Sequence, residues 1–220
     1  MIITIDGPAA AGKGTLAAAL AKKYNFAYFD TGMIYRAVGI QFIINNEDTK
    51  NEELAIKYAK ELTYPKMIEL SKNKLFRTPE TGQAASITSV YPKLREALLK
   101  MQRDLAENPV FEDGSKAEGI VFDGRDTGTK ICPNAEIKLF LTASLEERAR
   151  RRHKELEEKG FASDYNAIYN DIKARDDRDY NRQDAPLKPA DDASIIDTTE
   201  LNIDQVIEKV SQIIEKKTTF

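Results

Sequence analysis

Met1-Ile-Ile-Thr-Ile-Asp-Gly-Pro-Ala-Ala-Ala-Gly-Lys-Gly-Thr15 is the stretch on which the architecture turns. The apolar, β-branched run from Ile2 to Ile5 reads as a buried strand that stops at Gly7. Gly7, Gly12 and Lys13 then fit the phosphate-cradling spacing G-x-x-x-x-G-K, and Leu16 to Lys23 follows as a helix. Glycines let the backbone curl until successive N–H groups point at one phosphate, and the helix N-terminus adds its positive dipole end. Lys13 would bring a mobile positive charge to the β- and γ-phosphates of a nucleotide. The residue after the lysine is Gly14 rather than Ser or Thr, and the hydroxyl arrives one position later at Thr15.

Working outward, strand-like runs at Ile2–Ile5, Phe26–Phe29, Ile120–Phe122, Ile137–Leu141 and Ser194–Ile196 alternate with helical patterns. Those patterns cover Leu16–Lys23, Ile34–Ile44, Glu52–Leu62, Pro92–Glu107, Leu145–Lys159, Tyr165–Arg182 and Ile203–Lys216. The alternation predicts an α/β fold with a parallel sheet flanked by helices, whose ligands lie beyond the carboxyl ends of the strands. Two segments interrupt it. Residues 63–89 are polar and broken by Pro65 and Pro79, and read as a small inserted subdomain. Residues 160–189 are dense in Asp and Arg and end in Ala185-Pro-Leu-Lys-Pro189, and read as a mobile flap. Its arginines repel one another, so the flap is expected to be open and solvated without phosphate.

The 220 residues are enough for one sizeable core, and 41% apolar with 31% charged residues describes an ordinary globular chain. A net charge of −3 gives no electrostatic bias towards nucleic acid, and none is expected as a partner. Cys132 is the single cysteine, which excludes an internal disulfide framework and fits a reducing compartment. It reads as a packing residue, and His153, the lone histidine, as a surface one. No apolar run approaches the ~20 residues that cross a bilayer. No charged leader precedes the first strand, so a cytoplasmic location without membrane association is expected.

Three constellations carry candidate chemistry. Asp30-Thr-Gly-Met-Ile-Tyr-Arg36 follows the second strand; Asp30 and Thr31 could cap the next helix, and the same residues with Gly32 and Arg36 suit a second phosphate. Asp123-Gly-Arg-Asp126 follows the third strand. Asp123 stands where a carboxylate organises magnesium and its waters, Arg125 could bind phosphate bidentately, and Asp126 is free for another ligand. The competing reading is a tight Asp-Gly turn stitched by an ion pair. Arg175, Asp179 and Arg182, spaced i, i+4, i+7, share a helix face with Arg178 beside them. They are either a solvated ion-pair ladder or a phosphate-binding face, and the preference for arginine over lysine favours the second.

Taken together, Ile3 to Thr15, Asp30 to Arg36, Asp123-Gly-Arg-Asp-Thr-Gly-Thr129 and Arg175-Asp-Asp-Arg-Asp-Tyr-Asn-Arg182 with Ala185-Pro-Leu187 resemble the bacterial cytidylate kinases. Gln83-Ala-Ala-Ser86, Arg95-Glu-Ala-Leu-Leu99 and Ile195-Ile-Asp-Thr198 add to the match, which is collinear over nearly the whole chain. The resemblance implies a single domain over 1–220 in three parts: a P-loop core with a five-stranded parallel sheet, a monophosphate-binding insert near 63–89, and an arginine-rich lid near 160–189. It implies transfer of phosphate from magnesium-ATP to CMP or dCMP; separately, no coiled-coil pattern or interface stripe argues for more than a monomer. Gly7, Pro8, Ala9, Ala10, Ala11, Gly12, Lys13, Gly14 and Thr15 would hold the ATP phosphates, with Thr15 and, through water, Asp123 on the Mg2+. Lys13, Arg125, Arg178 and Arg182 would act on the transferring group. Thr31, Arg36, Arg125 and Arg182 would hold the acceptor phosphate, Ser86, Arg95 and Asp126 the cytosine, and Arg175 with Asp179 the pentose.

Gly14-Thr15 is normal for nucleoside-monophosphate kinases. The insert departs from the family pattern, which usually carries a longer stretch before Arg77-Thr78 with an Asn-Gly-type turn and a further strand. Here Met67 to Phe76 is short, with Ser71-Lys-Asn73 as its only turn. Two rival readings stand beside this one: a P-loop kinase acting on UMP or a non-nucleotide acceptor, and a nucleotide-sensing module without turnover.

Overall fold

A computed structural model describes residues 1–158 and 160–218. Five strands form one parallel sheet: β1 (Ile2–Asp6), β2 (Ala27–Asp30), β3 (Ile120–Gly124), β4 (Ile137–Thr142) and β5 (Ser194–Asp197), in the order β2-β3-β1-β4-β5. β1 is central, with Ile3 opposite both Val121 and Ile137, and is buried on both faces. A doubly covered strand has no use for polar alternation, which is why Ile2–Ile5 reads as a near-continuous apolar run. β5 is an edge strand and alternates: Ile196 is buried while Ile195 is 61% exposed.

The chain divides into two compact units, 1–29 with 109–220, and 30–108. In the first unit α1 (Lys13–Tyr24) and α9 (Ile203–Thr218) cover one face of the sheet. Leu16 and Leu20 of α1 and Val206, Val210 and Ile214 of α9 pack there with Ile3, Ile5, Leu139, Leu141 and Ile196. α7 (Leu145–Glu158) and α8 (Tyr165–Tyr180) pack around Ala149 and Ile172, together with Ala9. Lys159, expected to end α7, lies outside the described residues.

The second unit is helical among the described residues: α2 (Gly32–Asn45), α3 (Glu52–Lys60), α4 (Tyr64–Ser71), α5 (Pro79–Thr88) and α6 (Pro92–Glu107). The 63–89 segment is two of these helices, and the prolines that seemed to break it begin them instead. Thr63 caps α4 by accepting from the Lys66 N–H, with Pro65 in the first turn, and Thr78 caps α5 by accepting from the Thr81 N–H, with Pro79 first in the helix. Proline lacks an N–H where the first turn has no partner for one, so Thr followed closely by Pro is a start signal. Among the described residues no helix is long and apolar enough to cross a membrane.

Candidate active site

At the carboxyl end of β1 the chain turns through Gly7, whose φ is +150°. A Cβ there would lie 2.0 Å from the Leu141 carbonyl oxygen, so only glycine lets the loop pass β4 this closely. The loop closes at Gly12, in the left-handed region at φ +88°, and α1 begins at Lys13 with its first N–H groups uncommitted to the helix. The Lys13 side chain is buried and folds back over the loop. Its Nζ donates to the Pro8 carbonyl at 2.9 Å and lies 4.0 Å from Asp123 Oδ1, at the end of β3. Thr15 is exposed and, with Gly12, Arg151, Thr198, Asn202 and Val206, lines a cavity of about 600 Å³. Arg151 is fixed there by donating to the Thr198 carbonyl at 2.5 Å and to Glu147 at 2.8 Å.

The loop after β3 is pinned to the end of β1. Asp6, buried, accepts from the Thr127 N–H and hydroxyl on one oxygen and from the Gly128 N–H on the other, all at 2.8 Å. Burial pushes the Asp6 carboxyl up to about 6 from 3.8, against the lowering effect of those N–H donors and with help from the Asp126 charge. Thr127–Ile131 then forms a single π turn, with the Lys130 and Ile131 N–H groups both directed to the Asp126 carbonyl. Such turns concentrate at functional sites. Asp126 is buried immediately before it.

The inner face of α8 meets both loops. Arg125 Nε donates to Asp179 Oδ2 at 3.0 Å, Arg182 Nη1 lies 3.6 Å from Asp179 Oδ1, and Arg182 Nη2 donates to the Ala185 carbonyl at 2.7 Å. Burial pushes the Asp179 carboxyl up, but the guanidiniums of Arg125, Arg182 and Arg175 outweigh it and hold the group below the usual carboxylate range. One turn earlier Asp176 accepts from the Ala9 N–H of the phosphate loop at 3.2 Å and from Arg148 Nη1 at 2.5 Å; Arg148 also donates to the Ala9 carbonyl. Asp176, Asp179 and Arg182 are all buried, while Arg175 and Arg178 are half-buried. The expectation of a solvated, self-repelling arginine face is therefore overturned. Asp176 and Asp179 stand among the arginines and supply their counter-charge.

In the second unit Asp30 accepts from the Gly32 N–H at 2.8 Å and starts α2, while Thr31, although buried, makes no side-chain cap. Arg36 donates to the Phe76 and Thr78 carbonyls at 3.1 and 3.3 Å. Arg95 is buried, donates to the Ser89 carbonyl at 3.2 Å and stacks over the Tyr35 ring at 5.3 Å; Ser86 is buried on α5. Of the sequence-selected residues, the first unit thus gathers Lys13 with Asp123, and Arg125 with Asp179 and Arg182. The second holds Arg36, Ser86 and Arg95.

Sequence reasoning assigns no role to Asp6 or Asp176, counts Arg148 and Arg151 only within an arginine-rich run, and has Thr198 only as part of a family motif. Asp6 did carry a signal: a carboxylate at the end of a wholly buried strand. Among the described residues no three His, Cys, Asp or Glu side chains converge on a point, so there is no all-protein metal cage. Asp123 beside Lys13 and the exposed Thr15 hydroxyl are hard-oxygen donors of the kind that suits magnesium bound largely through phosphates and water.

The cytidylate kinase family model matches residues 3–216. Cytidylate kinase from Paramagnetospirillum magneticum is 48% identical, covering 98% of both chains. Cytidylate kinase 1 from Haemophilus influenzae is 44% identical, covering 98% of this chain and 94% of that protein. An uncharacterized protein from Eubacterium ventriosum shares the fold, with a TM-score of 0.54 at 15% identity over 98% of each chain. The loop from Gly7 to Thr15, the Asp123–Thr129 segment and the α8 motif all fall within the matched span, and the chain belongs to the cytidylate kinase family.

Proposed function

We propose that the chain transfers the γ-phosphoryl group of ATP to CMP or dCMP, releasing ADP and the pyrimidine diphosphate. The observation that carries this reading is the Lys13–Asp123 pair at the carboxyl end of the sheet, with Asp123 in electrostatic reach of Arg125, which is itself paired with Asp179 alongside Arg182. Phosphoryl transfer asks a protein mainly for positioning, charge neutralisation and exclusion of water. Residues 7–15 would hold the ATP phosphates through backbone N–H groups, and the cavity between Gly12, Arg151 and Thr198 has room for the adenosine. Thr15 and, through water, Asp123 would hold the magnesium that accompanies ATP and neutralises charge on its phosphates.

On the acceptor side Thr31, Arg36, Arg125 and Arg182 would bind the monophosphate, and Arg175 with Asp179 the pentose. Lys13, Arg125, Arg178 and Arg182 would stabilise charge on the transferring group. Cytosine differs from uracil in its 4-amino donor and N3 acceptor. Asp126 as acceptor, with Ser86 and Arg95 as hydroxyl and guanidinium, matches that edge. Residues 63–89 and 160–189 would serve as acceptor-binding insert and lid of one monomeric domain. The reading places the chain in the cytoplasm, where lone, buried Cys132 stays a thiol.

A coupled assay of ADP release with ATP and each of CMP, dCMP, UMP, AMP and GMP tests the reading. CMP and dCMP should turn over far faster than UMP, because the wrong base leaves buried polar groups unpaired. Asp126→Ala should lose CMP activity far more than UMP activity and narrow their ratio. An unchanged ratio removes Asp126 from base recognition, and no ADP release above the ATP-only rate with any monophosphate rejects the kinase assignment.

A further inference from the structure

We infer that Asp6 is a positioning residue that ties the acceptor-side loop, and with it Arg125 and Asp126, to the first residue of the phosphate loop. The inference rests on the reading that Arg125 and Asp126 bind the acceptor nucleotide. Asp6 is the last residue of β1, paired in register with Gly124 of β3 and directly followed by Gly7. Its two oxygens take all three donors of the Thr127–Gly128 bend, each at 2.8 Å. The fit is close: a Cβ on Gly128 would come within 2.9 Å of Thr4 Oγ1 and 3.4 Å of Asp6 Oδ2. Behind the bend, the π turn fixes the Asp126 carbonyl through two N–H groups. Asp126 is thus clamped on its C-terminal side by one carboxylate and one turn.

The chemistry of the clamp argues for a role beyond folding. The groups that hold Asp6 are neutral N–H and O–H donors, and the nearby Lys138 ammonium is already engaged by Asp192 and the Pro133 carbonyl. A carboxylate kept in such a place is held there against its own desolvation, as its raised pKa of about 6 records. What it supplies in return is acceptance from three donors by one side chain, which no neutral residue of its size can match. That sets the spacing between the two substrate loops, and misplacement of a binding group by about 1 Å can cost on the order of 10²-fold in rate.

Asp6→Asn keeps the shape but turns an N–H donor towards the Thr127–Gly128 donors. The expected result is a loss on the order of 10–10² in kcat/KM for CMP, carried by a raised KM for CMP and a narrowed CMP/UMP ratio. KM for ATP at saturating CMP should stay within about threefold, since residues 7–15 keep their own contacts. Thr127→Val removes one donor and should show the same pattern more weakly, with Thr127→Ser restoring it; this pair decides the matter if Asp6→Asn does not fold. Equal effects on the CMP and ATP constants, or none on CMP, overturn the positioning role. A wild-type chain that does not phosphorylate CMP at all instead rejects the functional reading, and the inference falls with it.

Discussion

Between Gly7 and Thr15 the groups offered to a phosphate are backbone N–H donors and one lysine, whereas on the inner face of α8 they are side chains engaged with one another. A backbone site needs little more than its glycine conformations and helix start. A side-chain site must be held together until its ligand arrives, and here Asp176 and Asp179 do this for Arg148, Arg125 and Arg182. Ligand phosphate would therefore compete with Asp176 and Asp179 for the arginines of α8, whereas on the phosphate loop a carboxylate engages only the Ala9 N–H and flanks Lys13 among the contacts described. The arginine face depends on counter-ions for its stability far more than the loop does.

The sharpest way to break this contrast is Asp179→Ala. It strands Arg125 and Arg182, both largely buried, without their shared carboxylate. Removing one partner of a buried pair costs about 3–5 kcal/mol. Denaturant unfolding should show a fall of that size, and a loss below about 1 kcal/mol would mean that α8 is not closed by its own ion pairs.

The same contrast governed what the sequence revealed. Residues 1–24 carry a continuous apolar run, two glycines at fixed spacing and a helical pattern, all local signals, and the structure places strand, loop and helix there in that order. The i, i+4, i+7 face of α8 was equally visible, but its burial was not. Periodicity says which residues share a face, and cannot say that Ala9 and Arg148 lie against it. Asp6 was hidden differently, because its three partners lie more than 120 residues away. The helices in 63–89 are written in short range by Thr63 with Pro65 and Thr78 with Pro79, where a proline reads as a break unless the threonine before it is read as a cap.

Lys13→Met addresses the backbone-built side. The ammonium should meet more charge on the transferring phosphoryl group than on ground-state ATP. Turnover should fall on the order of 10²–10³-fold, with a much smaller change in ATP affinity and a melting temperature close to that of the parent. Single-turnover kinetics and ATP titration separate the two effects. Near-normal turnover with only a raised KM for ATP would make Lys13 a ground-state contact.

The smallest effect separates the two buried carboxylates by pH. Asp6 has a folded pKa of about 6 against 3.8 unfolded, so between those values the native state holds more protons than the unfolded state. Stability from this group therefore rises as pH falls from about 7 to about 4, and two units at about 1.4 kcal/mol each bound the gain near 3 kcal/mol. Asp179 has its folded pKa depressed by arginines, so its contribution is present above the ordinary carboxylate range and is lost as pH falls through the folded value. Unfolding measured at several pH values should then show opposite limbs. Asp6→Asn should remove the gain between about pH 7 and 4 and leave the acid limb below it. Asp179→Asn, less stable throughout, should flatten the acid limb and keep the gain. If both variants shift the curve by a constant amount at every pH, neither carboxylate differs in proton affinity between the folded and unfolded chain. The burial of Asp6 among dipoles and of Asp179 among guanidiniums would then be electrostatically equivalent.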